Sequence, residues 1–115
     1  FLSKDTTLPM MYMEDAVNAT IGIMQAPAEN IKVRSSYNLA AMSFSPEEIY
    51  EAIKERYPDF GISYHPDFRQ TIADSWPQSI DDSAARQDWG WAHKYNLEEL
   101  VEVMVTNLEK TLQTT

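Results

Sequence analysis

Leu8-Pro9-Met10-Met11-Tyr12-Met13-Glu14-Asp15-Ala16 is the stretch from which the fold is read. Its first six residues form an apolar run long enough for a buried strand and too short for a helix. Glu14 and Asp15 then place negative charge where the positive end of a helix dipole stabilises it. From there Ala16, Val17, Thr20, Ile21 and Met24 recur at helical spacing, and Pro27 marks the stop. A strand running straight into an amphipathic helix is the unit of an α/β or α+β architecture.

The segments that follow repeat the alternation. Asn30 to Leu39 reads as a second strand, with Ile31, Val33 and Tyr37-Asn38-Leu39 as its apolar and β-favouring parts. Ser45-Pro46-Glu47-Glu48 is a helix start: Ser45 caps, Pro46 takes the first helical position and Glu48 reaches back to the capping residue. That helix turns Ile49, Ala52 and Ile53 inward and ends near Arg56-Tyr57-Pro58. Gly61-Ile62-Ser63-Tyr64 reads as a short third strand, and His65 to Ser79, with two prolines and no steady period, as a long loop. Loops of that length are often functional. A short helix is expected from Asp81 or Asp82 to Asp88, before Gly90, with Trp89 and Trp91 as core anchors and Asp82 and Arg86 as a helical i,i+4 pair. Asn96-Leu97-Glu98-Glu99 caps a last helix with Leu97, Leu100, Val101, Met104, Val105 and Leu108 on one face.

Composition narrows the function classes. With 115 residues the chain is one domain or part of a larger one, and 43% hydrophobic with 11% aromatic residues is folded protein. A net charge of −9, with nine basic residues in no stripe, repels a phosphate backbone, so no nucleic acid partner is expected. No apolar run approaches the roughly 18 residues of a membrane span. The absence of cysteine fits a cytoplasmic protein. The opening Phe1-Leu2-Ser3-Lys4 has neither an initiator methionine nor a signal region and reads as an internal cut or a trimmed natural start.

Several chemistries are missing. A dinucleotide or a P-loop needs a glycine-rich turn, and Gly22, Gly61 and Gly90 lie far apart. His65 and His93 are too few for a histidine-based metal site, so no metal is expected. Tyr50 and Lys54 have the spacing by which lysine lowers a tyrosine pKa for proton abstraction. Here Glu47, Glu48, Glu51 and Glu55 surround the pair, and an acidic neighbourhood works the other way. It reads as an exposed helical tyrosine beside a solvated lysine. Asn18-Ala19-Thr20 matches a glycosylation triplet by chance, inside the first helix.

Four motifs carry a resemblance. Leu8 to Ala16 is similar to the strand-to-helix junction in the C-terminal part of the extended short-chain dehydrogenases. Ser35-Ser36-Tyr37-Asn38-Leu39-Ala40-Ala41-Met42-Ser43-Phe44 resembles that superfamily's following strand and the approach to its next helix. Ala73-Asp74-Ser75-Trp76-Pro77 and Asp81 to Trp91 complete the order. The wording is most similar to the L-threonine 3-dehydrogenase branch, within the epimerase/dehydratase superfamily. The resemblance implies that residues 1–115 are a small C-terminal substrate-binding region. It also implies an N-terminal Rossmann domain, absent from this chain, that binds NAD and supplies the catalytic tyrosine, lysine and serine or threonine. The implied reaction is oxidation of L-threonine to 2-amino-3-oxobutyrate by an intact homodimer. No residue of this chain is then catalytic, and the chain alone is expected to be inactive.

The resemblance nominates Trp76, Asp74, Leu8 and Met10 as substrate-binding residues. Trp76, in the long loop before a proline, reads equally as a cover that excludes water from a small substrate or as core packing. Asp74 reads as orienting the loop or the substrate amine, or equally as a cap or turn residue. Leu8, Pro9 and Met10 lie where the superfamily turns toward substrate, with packing the commoner role for Met10. Two other readings stand beside this one. A nucleotide-sugar epimerase or dehydratase piece would need basic residues for a diphosphate, for which only Arg34 and Arg69 are available. A free-standing interaction module would use an exposed apolar face.

Overall fold

In the computed structural model, which describes residues 1–114, the strand at the start of the chain is β1 (Leu8–Met10) and its helix is α1 (Met13–Gln25). A single 3₁₀ turn (Ala28–Asn30) and a long irregular segment lead to β2 (Met42–Phe44). The two strands pair antiparallel with Leu8 opposite Phe44, Pro9 opposite Ser43 and Met10 opposite Met42. Proline is tolerated because each strand of a two-stranded ribbon has a free edge. Four further helices follow: α2 (Pro46–Arg56), α3 (Phe68–Asp74), α4 (Ser83–Trp89) and α5 (Leu97–Gln113). The mixed helix and short-strand class is therefore as read from the sequence.

The capped helices form where their caps stand. Ser45 and Glu48 make a reciprocal capping box at α2, and Asn96 and Glu99 another at α5. Gly90 ends α4 in the left-handed region at φ 76°, the conformation a helix stop requires and a side chain resists. Helices α2 and α5 pack on each other, joined at the surface by Arg56 Nη2 to Glu109 (3.2 Å) and by the Tyr57 hydroxyl donating to Glu109.

Asp15 sets the position of α1. Its carboxylate is 1% exposed and accepts the backbone N–H of Lys94 (2.9 Å) and of Tyr95 (3.0 Å), just ahead of α5. One turn on, Ala19 meets Ala85 of α4 and the Trp91 indole, all three buried, with Met11, Tyr37, Leu39 and Trp89 around them. At Gly22 an added Cβ would sit 3.3 Å from the Trp89 ring, so this face of α1 stays small for the indole to lie against it. A second carboxylate closes the other side. Asp82 Oδ2 accepts the Trp91 indole N–H (3.0 Å), the Ala40 backbone N–H (3.2 Å) and Arg86 Nε (2.9 Å). Burial opposes its charge, but these donors outweigh it and hold its carboxyl below the ordinary range.

Three expected elements differ. No strand forms over Asn30 to Leu39; the pairing strand lies at Met42–Phe44. Side chains take over the earlier segment's backbone: the Tyr37 hydroxyl accepts from the N–H of Lys32 (2.9 Å) and Val33 (3.1 Å) and donates to Asp88 (2.7 Å). Gly61 to Tyr64 is irregular, with no neighbouring strand to complete a ladder. The expected loop from His65 to Ser79 contains helix α3. Asp67 caps it, accepting the Arg69 N–H (2.9 Å) and the Arg69 guanidinium (2.6 Å), which itself stacks 3.6 Å over the Phe1 ring. The hydrogen bonds from the Arg69 side chain and backbone bring the Asp67 pKa from 3.8 to about 2.

Asp15→Ala leaves two buried amides without an acceptor and should cost about 3 kcal/mol in urea unfolding. Gly90→Ala should lose about 1 kcal/mol at its left-handed site, whereas Gly61→Ala, with open space around it, should be neutral or slightly stabilising. Because the folded pKa of Asp67 is depressed, its charge stabilises the fold above pH 3.8, and that contribution disappears as pH falls through about 2. Asparagine caps nearly as well. The Tm of Asp67→Asn should therefore lie below that of the parent above pH 4 and converge with it toward pH 2.

Candidate functional site

The site is built by α3 and the irregular N-terminal segment. Ser3 to Thr7 runs beside α3, and a cleft of about 460 Å³ opens between them and the residues that follow the helix. Thr6, Gln70, Asp74, Trp76 and Asp5 are among its walls. Gln70 binds the two sides together. Its Oε1 accepts the Ser3 backbone N–H (2.7 Å), and its Nε2 donates to Thr6 Oγ1 (2.9 Å) and to Asp74 Oδ1 (2.7 Å). Ser3 Oγ and Thr6 Oγ1 share a further hydrogen bond of 2.7 Å. Thr6 is buried at the base of this network.

The sequence-nominated residues divide between two hollows. Asp74, the last residue of α3, and Trp76, two residues on, line the same cleft. Trp76 is 58% exposed, which rules out a tryptophan buried for packing within this chain. Leu8 and Met10 line a separate apolar hollow of about 270 Å³ with Leu2, Phe44 and Ile49. Thr6 belongs to both, so it is the wall between them. Ser3, Thr6 and Gln70 were not singled out in the sequence. The readable signal was Gln70 four residues before Asp74, a helical pairing, hidden because the segment reads as loop.

Electrostatically the cleft is acidic. Asp5 and Asp74 line it and no lysine, arginine or histidine does. Arg69, nominated for a diphosphate, is committed to Asp67 and Phe1 instead. A hydrogen bond to Tyr50 is the main cause that holds the Lys54 pKa above its ordinary value. Tyr50 is half-buried rather than exposed, packed near Phe60 with ring centroids 6.0 Å apart, and Lys54 Nζ lies 5.3 Å over the tyrosine ring. Arg86 meets His93 Nδ1 at 3.0 Å. Among the described residues no three of His, Asp or Glu come together as a metal site, and no helix is long and apolar enough to cross a membrane.

The chain's residues do not fit a dinucleotide. Gly22 lies under Trp89 and Gly90 terminates α4, so neither glycine opens a phosphate-binding turn. The first turn of α1 carries Glu14 and Asp15, which repel a pyrophosphate where a Rossmann helix would receive it.

No protein-family model matches the chain. The mitochondrial L-threonine 3-dehydrogenase of Bos taurus is 50% identical over 105 residues, 90% of this chain and 28% of that protein. An uncharacterised epimerase/dehydratase of Staphylococcus saprophyticus is 50% identical over 110 residues, 95% of this chain and 34% of its own length. Among solved structures, the GalE-like L-threonine dehydrogenase from Cupriavidus necator superposes with a TM-score of 0.91 at 56% identity, covering 94% of this chain and 39% of that one. The chain thus spans about a third of the length of the relatives it matches. In sequence and in fold it is a homologue of one part of the L-threonine 3-dehydrogenases and epimerase/dehydratases.

Proposed function

We propose that this chain is the C-terminal, substrate-covering region of an NAD-dependent L-threonine 3-dehydrogenase. The observation that carries the reading is the 56% identity and shared fold with the Cupriavidus necator threonine dehydrogenase over 94% of the chain. The activity assigned to the intact enzyme is oxidation of L-threonine to 2-amino-3-oxobutyrate. NAD and the proton-relay residues belong to an N-terminal Rossmann domain, so the chain alone is silent. Met13, Val17, Ile21 and Met24, between 46% and 79% exposed, form one apolar stripe along α1, which suits a region that packs within a larger protein. The intact enzyme acts as a homodimer in the cytoplasm, a setting suited to a cysteine-free sequence.

Within that enzyme the cleft beside α3 receives threonine. Trp76 closes over the small substrate and keeps water from the reacting carbon, where a low dielectric strengthens every polar contact. The Asp74 carboxylate attracts the substrate ammonium, as an acidic wall without a competing cation allows. Leu8 and Met10 supply the apolar surface beyond Thr6. A nucleotide-sugar substrate is disfavoured because its diphosphate would meet Asp5 and Asp74 rather than a basic side chain. A free-standing interaction module would leave the similarity to the enzymes unexplained.

The intact protein should form NADH with L-threonine, and Trp76→Ala should lower kcat/KM by roughly 10- to 100-fold, the scale of about 1–3 kcal/mol for losing an apolar wall, with NAD binding unchanged. Unaltered kcat/KM would remove Trp76 from the site, and turnover of a nucleotide sugar without threonine oxidation would overturn the assignment.

A further inference from the structure

We infer that Gln70 is a positioning residue that, with Thr6 and Ser3, fixes the Asp74 carboxylate for the ammonium group of an amino-acid substrate. The inference rests on the threonine dehydrogenase reading and adds the residue that sets amine specificity.

The argument begins with how completely the Gln70 amide is used. Its oxygen accepts the Ser3 N–H, and its nitrogen divides two protons between Thr6 Oγ1 and Asp74 Oδ1. Those bonds settle which end of the amide is oxygen, because a backbone N–H can only donate and a carboxylate can only accept. Gln70 is half-buried, so rotating it away would strand the Ser3 amide and leave the buried Thr6 hydroxyl only its bond to Ser3 Oγ. Its orientation is therefore fixed from the N-terminal segment, and one oxygen of Asp74 is fixed in turn.

Asp74 itself is oddly placed for a merely structural carboxylate. It closes α3 at the helix's C-terminal end, where the dipole is negative and a cation is favoured. No basic residue stands in the last turn of α3, and no ion pair reaches Asp74 among the described residues. Asp74 Oδ2 takes no hydrogen bond from them, so half of the carboxylate remains available on the cleft wall beside Trp76. A primary ammonium suits both partners: it can donate to Oδ2, and an aromatic face attracts a cation. Losing the Gln70 bond would free the carboxylate to rotate, weakening its hold on the amine without touching the hydroxyl that reacts.

The test uses the intact enzyme and two ligands, L-threonine as substrate and 3-hydroxybutyrate, which lacks the amine, as a competitive inhibitor. Gln70→Met keeps length and removes the donor. It should raise KM for L-threonine at least tenfold, leave kcat within about threefold, and leave the inhibition constant of 3-hydroxybutyrate unchanged. In an Asp74→Asn background the same substitution should add little, because the two act through one carboxylate. Should Gln70→Met fail to fold, Thr6→Val loosens the amide less severely and should show the same amine-selective rise in KM, about threefold. Equal weakening of both ligands, or an unchanged KM for threonine in a folded variant, would overturn the inference. Failure of the parent enzyme to oxidise threonine at all would instead overturn the functional reading on which it rests.

Discussion

The rest of the structure depends on a buried carboxylate. Asp15 lies in the first turn of α1, is 1% exposed, and is held by the backbone amides of Lys94 and Tyr95. An ionised group can be buried only where hydrogen bonds replace water, which makes the contact restrictive as well as stabilising. The two amides fix α1 against the chain that enters α5, nearly eighty residues later. Its neighbour Glu14 serves the same segment from outside, accepting from the Tyr95 hydroxyl at 2.9 Å and lying 3.7 Å from Lys94 Nζ. The acidity that begins α1 is thus a helix-start signal and a long-range tether at once.

With α1 held, the interior can be built from small residues. Ala19 of α1 and Ala85 of α4 cluster with Trp91, all three buried, and Gly22 leaves room for the Trp89 ring. Among the described residues the largest fully buried side chain is Asp15. Such a core consumes little apolar surface, and much of the rest stays outside, on α1 and along α5 at Met104, Leu108 and Leu112. Trp89 Nε1 is buried with no partner among the described residues, a cost of roughly 1–3 kcal/mol. These features agree with the finding that the matched relatives are about three times as long as this chain.

The candidate site has a different physical basis. Its walls come from helix α3 with the residues after it and from an N-terminal segment with almost no regular structure, joined by the side-chain hydrogen bonds of Gln70 rather than by a ladder. A polar network of this kind specifies geometry, because its side chains hold one another in orientation. It leaves an acidic, aromatic-walled cleft on one side of Thr6 and an apolar hollow on the other.

The sequence by itself determined the elements whose instructions are local. β1 and α1 follow from an apolar run meeting acidic residues, α2 and α5 from reciprocal caps, and the end of α4 from Gly90. It also nominated Asp74 and Trp76, because an aspartate and a tryptophan before Pro77 carry a motif regardless of what surrounds them. Tertiary structure decided what depends on partners distant in the chain. The strand expected within Asn30 to Leu39 gave way to Met42–Phe44, since a strand exists only where another completes its hydrogen bonds, and Leu8–Met10 meets that later segment. Helix α3 emerged from an apparent loop because Asp67 caps it and the N-terminal segment packs along it, a contact no local pattern encodes. The separation of Leu8 and Met10 from Asp74 and Trp76, and the part played by Gln70, likewise exist only once residues some sixty-five positions apart are neighbours. Caps and periodicities act within a turn or two of helix; a cleft wall is made by whatever the folded chain brings alongside.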